Sequence, residues 1–388
     1  MANDLTFNQA STILNEITQQ LTGRNTIAPT NTYEFVTVAQ TALKQGYDPL
    51  LGAISAVLTR SIFSIRPYTA KFRSLQVDSQ KFGAITRKFQ ISDKEWEKDQ
   101  RYDLEEGKSV DMFKVSKPKV VQTNFYGQNV YQRHYTLFKD QLDIAFTGPE
   151  QFARFVTMVV QNCSDIIEQS HEGLKRYTIA NFIAGKTLAD PDSCIHLISE
   201  YNAITGEVLT PNTVYAPENF KPFIQWAKAR IGTLSKLMEE RTEKWHVNLD
   251  NKPINRHTPM RLQKIYMYAP IMELIDTMAL SDTFHDSYLK LATNESIGFW
   301  QSVDTPDKIQ VAPVYLNKDG SLTNGGVVEV NNLMGIIFDE EAMGMTTINS
   351  WSAPTPFNAA GGYTNVFFHY TDRYWNDYME NAIVLLLD

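Results

Sequence analysis

Along the first sixty residues the apolar positions fall three and four apart. Phe7, Ala10, Ile13, Leu14, Ile17 and Leu21 trace one face of a helix, and a Gly23-Arg24-Asn25 turn ends it. Asn31 or Thr32 is placed to cap a second helix carrying Tyr33, Val36 and Leu43. Asp48-Pro49 has the cap-then-proline signature of a third, running through Leu51, Ile54 and Leu58. Residues 1–60 read as a helical arm.

That period is lost from Ser61 to Lys117. Phe63, Ile65, Tyr68, Phe72, Leu75, Phe82, Ile85, Phe89 and Trp96 are spread among many charges, as in extended, hairpin-like chain. Val120 to Phe138 is rich in Val, Tyr, Thr and Phe and predicts two strands joined or interrupted at Gly127. A long helix follows. Thr147-Gly148-Pro149-Glu150 starts it, and Phe152, Phe155, Val156, Val159, Cys163, Ile166, Ile167, Leu174, Tyr177 and Ile183 line one face up to an expected stop at Gly185. At about 1.5 Å per residue this is a rod of roughly 55 Å.

Beyond Leu188 helix and strand signals alternate. Pro217 to Trp245 predicts a second long helix, Leu262 to Ala269 a strand, Ile271 to Leu280 a short helix and Ile309 to Leu316 a strand before the Asp319-Gly320 turn. The chain closes on strand patterns at Leu333–Phe338, Thr346–Ser350, Tyr363–Tyr370 and Ala382–Leu387, with a Pro/Gly-rich connector from Ala353 to Gly362. The fold class this predicts is α+β, in about two units with an arm and a long loop outside them.

Composition narrows the function. Lys and Arg total 36 against 44 Asp and Glu, a net charge of −8, the reverse of what a protein gripping nucleic acid phosphates shows. Cys163 and Cys194 are too few to staple 388 residues and point to a reducing compartment. The start, Met1-Ala2-Asn3-Asp4, shows no secretory signal, and the longest aliphatic run, Ala382 to Leu387, is too short to span a bilayer; no membrane role is expected. Within the loop the charge is sorted. Arg60, Arg66, Lys71, Arg73, Lys81, Arg87 and Lys88 precede Glu95, Glu97, Asp99, Asp103, Glu105 and Glu106, so opposite halves can dock copy to copy.

Candidate chemistry is sparse. Glu168-x-x-His171 and Glu243-x-x-His246 are half the ligand set of a di-iron bundle, but two further Glu-bearing long helices are lacking, so solvated helix surface is the better reading. Ala180 to Thr187 is one substitution from a phosphate-binding loop, yet it closes a helix instead of opening one after a strand. Cys194 with His196, and Asp282 with His285 and Asp286, lack the surroundings of a nucleophile motif and are expected to be structural.

Three segments carry a resemblance: Tyr126-Gly127-Gln128-Asn129-Val130-Tyr131-Gln132, Ser350-Trp351-Ser352-Ala353-Pro354-Thr355-Pro356-Phe357-Asn358, and Asp372-Arg373-Tyr374-Trp375-Asn376-Asp377. In these, and in the order of its parts over essentially its whole length, the chain resembles the Hong Kong 97 type major capsid proteins of tailed bacteriophages. The resemblance implies an N-terminal arm at 1–60 and an extended loop at 61–117 that lies over an adjacent subunit. It implies a peripheral domain with its spine helix at 118–190, joined by returning strands at 331–388, and an axial domain at 191–330.

The function so implied is structural: self-assembly, as pentamers and hexamers, into the icosahedral or prolate head shell that encloses double-stranded DNA. No enzyme activity and no cofactor are expected. Scaffold, portal and decoration proteins are the further partners, DNA is enclosed without sequence-specific binding, and the protein is placed in the virion after assembly in the host bacterial cytoplasm. Interface residues are expected in the loop at Arg66, Tyr68, Lys71, Phe72, Arg73, Phe82, Arg87, Trp96, Glu105 and Glu106. Some relatives seal subunits with a Lys–Asn isopeptide bond, for which Lys71, Lys81 and Lys88 and Asn349, Asn358 and Asn365 are available without any spacing that selects a pair. The alternatives are an encapsulin-like shell enclosing an enzyme, against which the long arm speaks, and a metal-dependent oxidoreductase using Glu168, His171, Glu243 and His246.

Overall fold

The computed structural model describes residues 6–23, 28–45, 49–50, 53, 71–77, 85–92, 98–113, 115, 117–250, 252–274 and 294–388. Helix α1 (Phe7–Thr22) begins in a capping box between Thr6 and Gln9, and α2 (Thr32–Lys44) begins where the Asn31 side chain accepts the Glu34 N–H. Residues 49, 50 and 53 are helical, and the rest of the expected third helix lies outside the described residues.

Both helices pack on the body of the chain. Leu14, Ile17, Phe35 and Ala39 are buried in a core shared with Phe152, Val156, Val159, Leu137, Val366 and Phe368, and the rings of Phe35 and Phe152 meet edge-on at 5.7 Å. Their apolar faces are satisfied by the chain itself, because the 3.6-residue stripe of each finds the matching stripe of the long helix.

After the seven-residue α3 (Lys139–Ala145), α4 (Pro149–Ala189) runs for 41 residues, roughly 60 Å. The expected stop at Gly185 is corrected too. The helix passes through Gly185 and ends at Ala189, ahead of Pro191, because this glycine answers a packing need: a Cβ there would overlap the Tyr378 ring and hydroxyl. The two ends of α4 serve two cores. Residues 152–159 join the arm helices and a three-stranded sheet, while Ile179 to Ala184 join a five-stranded one. Between them lies a polar waist with Glu168, His171, Glu172, Lys175 and Arg176.

The three-stranded sheet has the order β12 (Met343–Pro354), β13 (Tyr363–Asn376), β3 (Asn129–Phe138), all antiparallel. The five-stranded sheet has the order β4 (Cys194–His196), β14 (Ala382–Leu386), β11 (Leu333–Asp339), β5 (Gln263–Tyr268), β6 (Asn294–Ile297). The closing stretch 331–388 therefore divides between the sheets: β12 and β13 sit beside β3, while β11 and β14 pair with β5 and β4. β11 and β14 are apolar almost without interruption because both faces are covered. Alternate residues point to opposite sides, so Tyr266, Ile336, Phe338 and Val384 meet α4, whereas Ile265, Met267, Ile337 and Ile383 meet α5 (Leu197–Thr205) and α6 (Pro217–Glu239).

Other boundaries moved for local reasons. Helix α6 ends at Glu239, six residues before the expected Trp245, which itself takes φ 67°. The single strand expected over Ile309–Leu316 is two, β7 (Ile309–Val311) and β8 (Val314–Leu316), broken at Pro313, which has no N–H to give a ladder. β7 pairs with β10 (Val328–Val330) and β8 with β9 (Leu322–Asn324). Residues 269–274 are helical, and the remainder of the short helix expected there lies outside the described residues.

Candidate assembly surfaces

Strands β1 (Ile85–Ile91) and β2 (Val120–Tyr126) form an antiparallel hairpin, paired from Ile85↔Tyr126 to Ile91↔Val120, and β1 lies within the expected loop 61–117. Gly127, at φ 101°, lets the chain leave β2 and enter β3 in a conformation that a side chain would strain. At the far end, residues 98–113 are all exposed. Their charges are paired locally, Lys98 with Asp103 at 2.7 Å, Arg101 with Asp99 at 2.6 Å and Lys108 with Glu105 at 2.5 Å. Exposed pairs of this kind contribute little. The large apolar side chains beside them are left in water: Tyr102 is 83 %, Met112 82 %, Phe113 80 % and Val115 79 % exposed. Such a patch marks an interaction surface.

The hairpin root is held to the body mainly by polar contacts. The Lys88 ammonium, on β1, reaches Glu341 at 2.8 Å, Asp377 at 3.3 Å and Glu380. Arg256 contacts the same Glu380 at 2.6 Å and hands its other nitrogen to Gln90 at 2.5 Å. Burial works against the Lys88 charge, but Asp377 and Glu380 outweigh it and hold the group above the ordinary lysine range. Burial raises Glu380, against the pull of Arg256 and Lys88. A small apolar patch of Val121, Ile254 and Met379 completes the joint.

The open face of the three-stranded sheet is a third surface. Trp351 stacks on His369 at 3.9 Å, and His134 lies against Phe367 at 5.3 Å, in directly opposed cross-strand pairs. Val130, Gln132, His134, Thr136 and Phe138 of β3 share this face with the odd positions from Tyr363 to Thr371 and with Trp351, and none of these carries a carboxylate, Lys or Arg. Aromatic enrichment with charge depletion is the composition of an interface centre.

The interface residues expected from the sequence are scattered. Arg66, Tyr68, Phe82 and Trp96 lie outside the described residues. Lys71, Arg73, Arg87, Glu105 and Glu106 are exposed, and Lys71 also donates its backbone N–H to Glu172 at 3.1 Å. Phe72 is a correction: it is buried in the chain's own core, 5.3 Å from the Tyr266 ring, with the Arg176 guanidinium 5.0 Å above it. Its N–H donates to Glu295 of β6 and its φ is 62°, so this short strap, held to the polar waist of α4 by the Lys71–Glu172 bond, is turned inward. Sequence reasoning missed Tyr102, Met112, Phe113 and Val115. The signal was present in Asp111-Met112-Phe113, large apolar residues amid charge without a period.

Several of the chemical candidates make internal contacts. His171 pairs with the fully buried Asp372 at 3.1 Å. Glu243 and His246 are not on a helix, correcting that expectation; His246 Nε2 contacts the Ile254 carbonyl at 2.8 Å and Nδ1 the Asn381 oxygen at 3.0 Å. Burial holds this imidazole below the ordinary histidine range. Among the described residues no three His, Cys, Asp or Glu side chains gather as a metal site. Lys186 of the phosphate-loop lookalike is fully buried inside α4 and bonded to the Trp245 carbonyl at 2.7 Å. Burial pushes the Cys194 thiol up to about 12, leaving it inert, and His196 pairs with Asp388 at 2.5 Å. Asp282, His285, Asp286 and Lys81 lie outside the described residues. Lys88 is committed to its carboxylates, and Asn365 accepts from Thr136 at 2.7 Å.

No helix among the described residues is long and apolar enough to cross a membrane. The chain is similar in fold to the capsid of Staphylococcus phage Andhra, at 11 % identity and a TM-score of 0.52 over 84 % of this chain and 86 % of that one. It is likewise similar to a chain of bacteriophage P68, from a structure described as head fiber and inner core protein gp22, at 11 % identity and a TM-score of 0.55 over 82 % and 85 %. No curated protein matches the sequence. Residues 10–386, nearly the whole chain, match one sequence family, and with a Hong Kong 97 type fold the chain belongs to the Phi29-like phage major capsid protein family.

Proposed function

We propose that copies of this major capsid protein close the head shell as pentamers and hexamers, with residues 1–60 as arm, 61–117 as extended loop, 118–190 as the peripheral part and 191–330 as the axial part. The observation that carries this reading is the hairpin tip, whose Met112 and Phe113 stand 82 % and 80 % exposed on a segment clear of the chain's own core. A monomer gains nothing from such a display; a lattice of copies covers it.

The same reading places assembly in the host bacterial cytoplasm, with scaffold, portal and decoration proteins as further partners. It gives the chain no reaction of its own, since Lys186, His246 and Asp372 are spent on internal contacts. DNA is enclosed by confinement, which a chain of net charge −8 permits without a phosphate-gripping patch.

Negative-stain electron microscopy and sedimentation of the chain expressed alone in bacteria test this. Closed shells, tubes or curved sheets are expected. A small oligomer that stays small when a cognate scaffold is co-expressed would overturn it.

A further inference from the structure

A pocket of about 140 Å³ opens at one end of the five-stranded sheet, where β5 and β14 finish and β11 begins. Asn212 and Tyr215 of the connector between α5 and α6, Tyr268 at the end of β5, Asp307 ahead of β7 and Asn332 ahead of β11 line it. Leu333 and Leu387 supply an apolar floor. Backbone bonds hold these groups in place. Leu333 donates its N–H to the Asp307 carbonyl and Leu387 to the Asn332 carbonyl, each at 2.9 Å, while Asn332 takes φ 53°. On the connector, Val214 donates to the Thr210 carbonyl at 3.0 Å, and the Tyr215 ring stacks on Phe220 at 5.8 Å.

The lining is acidic and aromatic at once. Asp307 is its one charged residue, and its carboxylate has no ion-pair or hydrogen-bond partner among the described residues. The adjacent cation, Lys308, is engaged by Glu329 at 2.5 Å and leaves Asp307 unbalanced. Burial raises both phenols, and the charge of Asp307 raises them further, which sets this carboxylate beside Tyr215 and Tyr268.

That donor set selects among cations. A dehydrated divalent ion asks for about six oxygen ligands, of which charged ones bind best, and a single carboxylate answers that demand poorly. An ammonium on an aliphatic stem fits better: its charge meets the carboxylate and the tyrosine rings, and its methylene groups meet the leucine floor. At about 30 Å³ for a water-sized group, the pocket has room for the ammonium and the first carbons of its stem.

We propose that this pocket binds an alkylammonium group, with Asp307 taking the charge and Tyr215 and Tyr268 flanking it. The group comes either from a free aliphatic polyamine or from a lysine side chain of another protein. The site stands apart from the hairpin and does not depend on how copies assemble.

Isothermal titration calorimetry of the full-length chain with putrescine, and separately with Nα-acetyl-lysine-N-methylamide, tests the proposal. The expected result is saturable one-to-one binding, weakened about tenfold or more by D307N and about threefold or more by Y268L, and unchanged by D304N nearby. Tighter binding of putrescine identifies a free polyamine as the source, whereas equal or tighter binding of the lysine amide identifies a protein side chain.

No saturable binding of either amine, or binding that survives D307N at parental strength, would overturn the proposal. So would magnesium chloride binding at an Asp307-dependent site from which neither amine displaces it. Thermal melts check that each variant is folded. Where D307N does not fold, Y215L and Y268L carry the test, and parental binding in both counts against the site.

Discussion

The ammonium of Lys88 lies 3.3 Å from the Asp377 carboxylate, across 289 residues of sequence. That contact fixes the angle at which the hairpin leaves the body, because Lys88 sits on β1 while Asp377 follows β13 in the chain's interior. Lys88→Met leaves Asp377 and Glu380 facing each other with Arg256 alone to balance them. Breaking a buried pair from one side costs about 3 kcal/mol or more, and chemical denaturation should read a loss of that order. Limited proteolysis should at the same time cut sooner around residues 92–119.

Gly185 and Tyr378 form a second long-range dependence. Gly185→Ala inserts a methyl group where the tyrosine hydroxyl lies, and overpacking of this kind costs about 1–3 kcal/mol. Removing the hydroxyl as well, in Gly185→Ala/Tyr378→Phe, should recover part of that loss, although the hydrogen bond to the Val314 carbonyl at 3.0 Å goes with it. A thermal melt in which the double variant is no better than the sum of the singles would contradict the packing account.

Two phenylalanines on the same long loop should behave oppositely. Phe72→Ala empties a core site under Arg176 and is expected to cost about 3–5 kcal/mol of folding stability. Phe113→Ala, at an exposed position, should leave the melting curve within about 0.5 kcal/mol of the parent. Its effect should appear as fewer or less regular particles in sedimentation and microscopy. A large stability loss from Phe113→Ala would mean that the tip packs on its own chain.

Acid should weaken the fold through His246. Its folded-state pKa is lowered by burial, so the unfolded chain binds the proton more tightly. The stability linked to this group is fully present above the ordinary histidine value of about 6.5 and is lost as pH falls from there through the lower folded value. Denaturant midpoints measured across that window should fall with pH, and His246→Gln, which cannot titrate, should flatten the fall.

Much of this architecture is legible in the residues because its signals are periodic. The stripe from Phe152 to Val159 marks α4, Val120 to Phe138 breaks at Gly127 as its composition predicts, and the unbroken apolar runs of β11 and β14 mark central strands. What was illegible depends on partners distant in sequence. Gly185 looks like a helix stop until Tyr378 is seen against it, and Phe72 looks like a loop aromatic until Glu295 and Glu172 are seen holding the strap. No local pattern shows which sheet a closing strand enters. Met112 and Phe113 were readable as apolar residues out of place, but charge sorting in the same loop drew attention to its other residues.

The division of the closing strands bears on how the protein is made. β11 enters the five-stranded sheet, β12 and β13 complete the three-stranded one, and β14 returns to lie between β4 and β11. Synthesis runs from the N-terminus, so neither sheet can close until these last strands have left the ribosome. A nascent copy that still lacks β13 and β14 thus has both sheets incomplete and is unfit to join a growing lattice.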